Sequence, residues 1–230
     1  MEAIVLAGGL GTRLRSVISD VPKPMAPIDD KPFLHYILHY LAKQGINRVI
    51  LSTGYKHEVI EAYFGYEYCG MSIVYSVEDE PLGTGGAIKR ALEKVTEQDA
   101  FIMNGDTFFA VDLQGMIRFH QVHGADITIA LKRMEDFSRY GAVMVENGRV
   151  RSFQEKGYHS SGNINGGIYI INKQCLEIES LPNTFSFESD VLEKFIMKKE
   201  MYGFISEGYF IDIGIPEDYE KAQGELHSCI

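Results

Sequence analysis

Gly8-Gly9-Leu10-Gly11-Thr12-Arg13 gathers three glycines, a hydroxyl and a guanidinium directly after the short apolar run Ala3 to Ala7. If that run is a buried strand and Thr12-Arg13-Leu14 opens a helix, the N–H groups of the turn converge on phosphate oxygens at the helix's positive end. The chemistry would be the holding of a polyphosphate. The turn is not a P-loop, since no Gly-Lys-Ser/Thr follows, and the dinucleotide fingerprint fails because Leu14 stands where Gly or Ala is required. Alone, such a turn serves folding as often as binding. Pro22-Lys23-Pro24-Met25 comes next, with two prolines flanking one lysine. Rigid flanks lower the entropy cost of holding a long cation in one place. In isolation Lys23 would still read as a solvated surface lysine, and Gly105-Asp106 as an Asp closing a turn.

The rest of the composition narrows the partners. A net charge of -10 over 230 residues argues against a nucleic-acid surface, which needs clustered cations to displace phosphate counterions. A polyanionic ligand must therefore be met by a few local cations, and Arg13, Arg15 and Lys23 are the ones beside glycine-rich or proline-rich turns. With 45% hydrophobic and 23% charged residues, one sizeable core and a single domain over 1–230 are expected. There is no basic n-region, no signal-length apolar run and nothing approaching a membrane span, so the expectation is a cytoplasmic protein without a membrane partner. Cys69, Cys175 and Cys229 lie far apart and read as free structural thiols. His35 and His39 lack the adjacent Glu of a zinc protease, and His120 and His123 lack a third ligand nearby; surface or core roles are expected. The aromatic residues read mostly as core, with Tyr55, Tyr140 and Tyr158 near predicted site loops.

These residues must be positioned by elements that the sequence also signals. Strands are expected over 2–7, 48–53, 71–77 and 100–104, and helices over 32–44, 56–64 and 86–95. Pro32 and Gly45 bracket the first of these helices. Such alternation belongs to the α/β class, a mainly parallel sheet with helices on both faces. Beyond residue 125 the rhythm changes to strands over 127–131, 141–145, 150–154 and 166–171, with Asn147-Gly148 as a hairpin turn. The second half should add mixed or antiparallel strands to the same sheet, followed by helices over 187–198 and 216–226. The expected fold is thus a Rossmann-like three-layer sandwich with a mixed, mainly parallel sheet, its two halves near 1–110 and 111–230.

Leu6-Ala7-Gly8-Gly9-Leu10-Gly11-Thr12-Arg13-Leu14 together with Pro22-Lys23-Pro24-Met25 resembles the signature of the sugar-1-phosphate nucleotidyltransferases. The resemblance continues through Leu82-Gly83-Thr84-Gly85-Gly86, Gly105-Asp106, Glu155-Lys156, Asn165-Gly166-Gly167 and Asp212-Ile213-Gly214, so it covers nearly the whole chain. Within the family, the sequence is most similar to guanylyltransferases acting on D-glycero-α-D-manno-heptose 1-phosphate. The resemblance implies that Leu6 to Gly9, Gly11, Thr12 and Arg13 bind the NTP, with Arg13 on its β- and γ-phosphates. Gly83, Thr84 and Gly85 would lie against the base, where absent side chains let the ring approach the backbone. Lys23 would take the phosphate of the sugar phosphate, and Asp106 and Asp212 would hold Mg²⁺, a hard cation that takes one or two carboxylates plus substrate phosphates. Gly141, Glu155, Lys156 and Asn165 would complete the sugar site. Glu155-Lys156 reads equally as an exposed ion pair, and Gly141 as a strand entry.

The substrates so implied are GTP and the heptose 1-phosphate. The stretch Glu80 to Gly86 resembles the base loop of guanylyltransferases for manno-configured sugars, and the polar segment from Lys156 to Asn165 could surround a side chain longer than a hexose's. The alternatives are another sugar 1-phosphate (mannose, glucose or N-acetylmuramic acid) with GTP, UTP or dTTP, and a catalytically inactive sugar-nucleotide sensor. A nicotinamide dehydrogenase is disfavoured by the broken glycine fingerprint. Oligomeric state is not legible, and a homodimer is compatible with the sequence.

Overall fold

The computed structural model describes residues 1–9, 21–176 and 181–229, the side chains of 228 and 229 excepted. Gly11, Thr12, Arg13 and the helix expected to open there lie outside the described residues. In chain order the first half forms β1 (Glu2–Leu6), β2 (Pro27–Ile28), β3 (Lys31–Pro32), α1 (Phe33–Lys43), β4 (Arg48–Thr53), α2 (His57–Phe64), β5 (Glu67–Tyr68), β6 (Met71–Val77), α3 (Gly83–Leu92), β7 (Asp99–Asn104) and β8 (Thr107–Phe109). The second half forms α4 (Leu113–His123), β9 (Ile127–Phe137), β10 (Gly141–Glu146), β11 (Arg149–Lys156), β12 (His159–Asn172), β13 (Met201–Ser206), β14 (Phe210–Asp212) and α5 (Pro216–Glu225).

Ten of the strands make one sheet in the order β10-β11-β13-β9-β12-β7-β1-β4-β6-β5. The four central strands of its first half, β7-β1-β4-β6, are parallel, with Ala3 opposite Val49 and Phe101. β12 then runs antiparallel to both β7 and β9, and β13 parallel to β9, which gives the mixed character expected from the change of rhythm. β12 is the seam. Its residues from Ile168 to Asn172 pair with β7, while those from His159 to Asn165 extend along β9.

Alternate residues of the strands feed two apolar layers. Ala3 and Val5 pack on one face with Phe33, Ile37 and Leu41 of α1, whereas Ile4, Ile50 and Ile102 pack on the other with Ile88 and Leu92 of α3. A period of two in the strands and 3.6 in the helices makes this sandwich the arrangement that buries both apolar faces. α1 begins after Pro32 and is followed by Gly45 at φ 82, a left-handed stop that glycine adopts without strain.

Several elements differ from their sequence-based bounds. α3 starts at Gly83, not Gly86, because the missing side chains of Gly85 and Gly86 are filled by the Phe185 ring and the Asn183 carbonyl. Tertiary packing there overrides the low helix propensity of glycine. The helix expected over 187–198 contains a π-helical stretch, Glu188–Glu193. α4 was not anticipated, although Asp112 caps it by accepting from Gly115 N at 2.9 Å and Gly124 ends it in the left-handed region. β8, β13 and β14 were likewise not anticipated. His120 is buried and lies 2.8 Å from Thr128 Oγ1, a core histidine as expected. Among the described residues no helix is long and apolar enough to cross a membrane.

A buried tyrosine joins α1 to the segment entering α4. The Tyr40 hydroxyl donates to Val111 O and accepts from Val111 N at 3.0 Å, satisfying both backbone polar groups of one buried residue. Tyr40→Phe should therefore cost about 1–3 kcal/mol, the penalty of leaving buried backbone groups unpaired. Urea unfolding followed by far-UV circular dichroism checks this; an unchanged midpoint would mean that water replaces the hydroxyl.

Candidate active site

The parallel strands present their carboxyl ends to one cleft of about 990 Å³. Leu6 and Gly8 reach it from β1, Gly54 from β4, Glu78 from β6 and Asn104 from β7. In open α/β sheets this is where ligands bind, because the loops leaving strand ends carry no ladder obligations. Gly8 and Gly9 line the cleft, and so do Leu6, Lys23, Gly83, Thr84 and Asp106. Gly85 is not among the lining residues. Its bare Cα faces the Phe185 ring, so packing by itself requires glycine there.

Asp106 stands just beyond β7, where Gly105 N donates to Leu6 O at 2.9 Å. A Cβ at Gly105 would lie 2.5 Å from that carbonyl, so only glycine lets the chain turn here. Asp212 arrives from the far end of the sequence on β14, which pairs antiparallel with β8 and sets Asp212 opposite Thr107. Ile213 N donates to Asp106 O at 3.0 Å and fixes the two acidic residues side by side.

Lys23 lies in a short 3-10 turn between its prolines and extends its ammonium between the two carboxylates. Its Nζ is 2.7 Å from Asp106 Oδ2 and 4.0 Å from Asp212 Oδ1. Burial, and then the charge of Asp106, push the Asp212 carboxyl above the ordinary carboxylate range, while Lys23, the Gly214 N–H and Arg139 oppose the shift. Like charges in a partly buried space favour a proton or a cation. Among the described residues no cluster of three His, Cys, Asp or Glu exists. Asp106 in the cleft wall with Asp212 beside it nevertheless suits a hard divalent ion that completes its shell with substrate oxygens.

On the other side of the seam, Gly141 begins β10 opposite Lys156 of β11. Glu155 and Lys156 are exposed. Asn165 precedes a break in the β12 register, where its Oδ1 accepts from Gly167 N at 3.0 Å and its Nδ2 donates to Tyr169 OH at 2.8 Å. The residues assigned to the sugar thus share one sheet region, and none of the four lines the cleft that holds Lys23 and Asp106.

Sequence reasoning missed Arg139. It ion-pairs with Asp218 in the first turn of α5 and lies 3.6 Å from Asp212 Oδ2, so it ties the β9–β10 connection to the acidic centre. Only its place beside Tyr140 and Gly141 could have hinted at this. Glu78 was also missed. It accepts from Ser52 Oγ at 3.2 Å and from Leu82 N at 3.0 Å, pinning the start of α3 to the strand ends.

The raised proton affinity of Asp212 has a sign that stability measurements can read. A carboxyl whose folded pKa exceeds its unfolded value makes the folded state bind more protons, so its contribution becomes unfavourable as pH rises through the carboxylate range. Asp212→Asn should therefore raise the melting temperature of the ligand-free protein at pH 7, and the gain should shrink toward pH 4. A lower melting temperature at pH 7 would mean that its bonds to Arg139 and Lys23 outweigh burial.

The nucleotidyl transferase family model matches residues 2–228. Over 230 residues, 100% of both chains, the sequence is 64% identical to the D-glycero-alpha-D-manno-heptose 1-phosphate guanylyltransferase of Aneurinibacillus thermoaerophilus. It is 52% identical over 220 residues to the enzyme of the same name from Campylobacter jejuni, covering 95% of this chain and 97% of that one. The fold superposes on the crystal structure of HddC from Yersinia pseudotuberculosis complexed with GMP-PN with a TM-score of 0.88 at 40% identity, covering 98% of this chain and 99% of that one. The architecture is therefore the mixed α/β fold of the nucleotide-diphospho-sugar transferases, and the chain belongs to the nucleotidyl transferase family.

Proposed function

We propose that this protein transfers GMP from GTP to D-glycero-α-D-manno-heptose 1-phosphate in the cytoplasm, releasing pyrophosphate and supplying GDP-heptose for a surface polysaccharide. The observation that carries the proposal is the convergence of Lys23, Asp106 and Asp212 at a glycine-walled cleft, in a chain 64% identical from end to end to a guanylyltransferase of that name.

The reaction makes one P–O bond and breaks another. A sugar-phosphate oxygen attacks the α-phosphorus of GTP, and the bond to the bridging oxygen of the β-phosphate breaks, its electron pair leaving with pyrophosphate. The attacking oxygen needs no general base, since a phosphomonoester's second pKa is about 6. The obstacle is repulsion between two polyanions, so positioning and charge neutralisation supply the catalysis.

Lys23, held in its proline-flanked turn, takes the phosphate of the incoming sugar phosphate as a point charge. Arg13 takes the β- and γ-phosphates. Gly8 and Gly9 allow the triphosphate to approach the backbone. Asp106 and Asp212 are the residues to hold Mg²⁺, which when bound would neutralise charge on the triphosphate and on the departing pyrophosphate. The backbone at Gly141 with Glu155, Lys156 and Asn165 orients the sugar. A binding-only sensor has no need of the acidic pair and its lysine, which favours the enzyme.

Asp106→Asn and Asp212→Asn should each lower kcat by about 10² or more, the usual scale of losing metal-held charge in a catalytic site. Wild-type turnover by either variant at limiting Mg²⁺ removes that residue from the metal. Lys23→Ala should weaken the sugar phosphate more than GTP, which isothermal titration with each substrate would read; equal losses would remove Lys23 from the sugar phosphate. A pyrophosphate-release panel of GTP, UTP and dTTP against heptose, mannose and glucose 1-phosphates tests substrate identity. Highest kcat/KM is expected for GTP with the heptose, with residual activity on mannose 1-phosphate, which lacks one hydroxymethylene, because a missing methylene-sized contact costs only about 10- to 200-fold. A higher kcat/KM for UTP or dTTP with glucose 1-phosphate would overturn the heptose assignment.

A further inference from the structure

Glu78 lines the same cleft as Asp106. The strand order β6-β4-β1-β7 places Glu78, Gly54, Gly8 and Asp106 in a row beyond successive parallel strand ends. Three strand gaps of about 4.8 Å separate the end of β6 from the end of β7, and the Glu78 carboxylate reaches from β6 past Ser52 of β4 toward Gly8 beyond β1. Gly8 makes room for this carboxylate. A Cβ at Gly8 would lie 2.9 Å from Glu78 Oε1, and a Cβ at Gly54 would lie 3.7 Å from Glu78 Cβ. Each oxygen has a single hydrogen bond among the described residues, Oε1 from Ser52 Oγ and Oε2 from Leu82 N. A carboxylate offers about four acceptor sites, so lone pairs remain on both oxygens. The neighbouring acids are less suited, since Asp79 and Glu80 are exposed and Asp79 lies 3.5 Å from Arg90 Nη2.

Guanine is the common base whose edge carries two adjacent donors, N1–H and the 2-amino group, and a pair of carboxylate oxygens matches them. We propose that Glu78 is the residue that selects guanine, accepting from N1–H and from the 2-amino group. Ser52 and Leu82 orient the carboxylate, and the inference rests on the guanylyltransferase reading above. Uracil and thymine present one N–H flanked by two carbonyls, so a carbonyl would face a carboxylate oxygen and leave it unpaired.

Steady-state kinetics with heptose 1-phosphate separates the outcomes. For the wild type, ITP, which lacks the 2-amino group, should lose roughly tenfold or more in kcat/KM against GTP. Glu78→Gln puts an N–H₂ where the 2-amino group points; GTP should fall roughly a hundredfold while XTP, with a carbonyl at C2, gains relative to the wild type. A residue that only braces the loop would depress GTP, ITP and XTP alike, and that result, or a wild type indifferent between GTP and ITP, overturns the assignment. If the Gln variant does not fold, Glu78→Ala read by its GTP-to-ITP ratio replaces it: a ratio near one supports the assignment and an unchanged ratio overturns it. Absence of GTP turnover by the wild type would instead sink the guanylyltransferase reading itself.

Discussion

Asp106 and Asp212 repel each other, and much of the architecture around the cleft exists to hold them together. Asp212 ends β14 and Asp106 directly precedes β8, and these two strands form a ribbon separate from the main sheet. The ribbon is clamped by the bond from Ile213 N to Asp106 O, and Lys23 and Arg139 approach the pair from two sides. The burial that raises Asp212's proton affinity also strengthens its pull on any cation that enters. An acidic pair of this kind costs folding energy in the empty protein, and ligand binding offsets that cost.

The mixed sheet divides labour without dividing the molecule. Parallel strands end in loops free to carry ligand groups, which is why the residues lining the cleft are strung along the ends of β6, β4, β1 and β7. Antiparallel pairing beyond β12 leaves side chains from paired strands in fixed register, and Gly141, Lys156 and Asn165 meet there. β12 belongs to both regions, and Arg139 gives a second link by joining the β9–β10 connection to the acidic ribbon.

Local chemistry made part of this legible. α1 announced itself through Pro32, Gly45 and the spacing of its apolar residues, and β4 and β6 matched their expected bounds because their apolar runs are short and sharply bordered. α4 escaped notice because Met116, Ile117 and His120 make a thin apolar stripe among polar residues. Asp106 and Asp212 were nameable as motif residues, but their adjacency depends on a strand pairing that links positions 107 and 212. No local pattern encodes such a pairing. Glu78 and Arg139 were invisible for the same reason, since each has an ordinary neighbourhood in sequence and acquires meaning from residues far along the chain.

The glycine at position 85 carries a packing requirement that its place in the loop did not announce. Its missing side chain is occupied by Phe185, and Gly85 N donates to Phe185 O at 2.9 Å, while Thr84 Oγ1 accepts from Phe187 N and donates to Glu188. The start of α3 and the strand-free stretch near Phe185 are thus cut to one another like a notch and its tenon. A side chain at position 85 would evict the phenyl ring, and a smaller residue at 185 would leave a void beneath the cleft wall. Positions 85 and 185 are therefore coupled by shape, so a change at one demands a compensating change at the other.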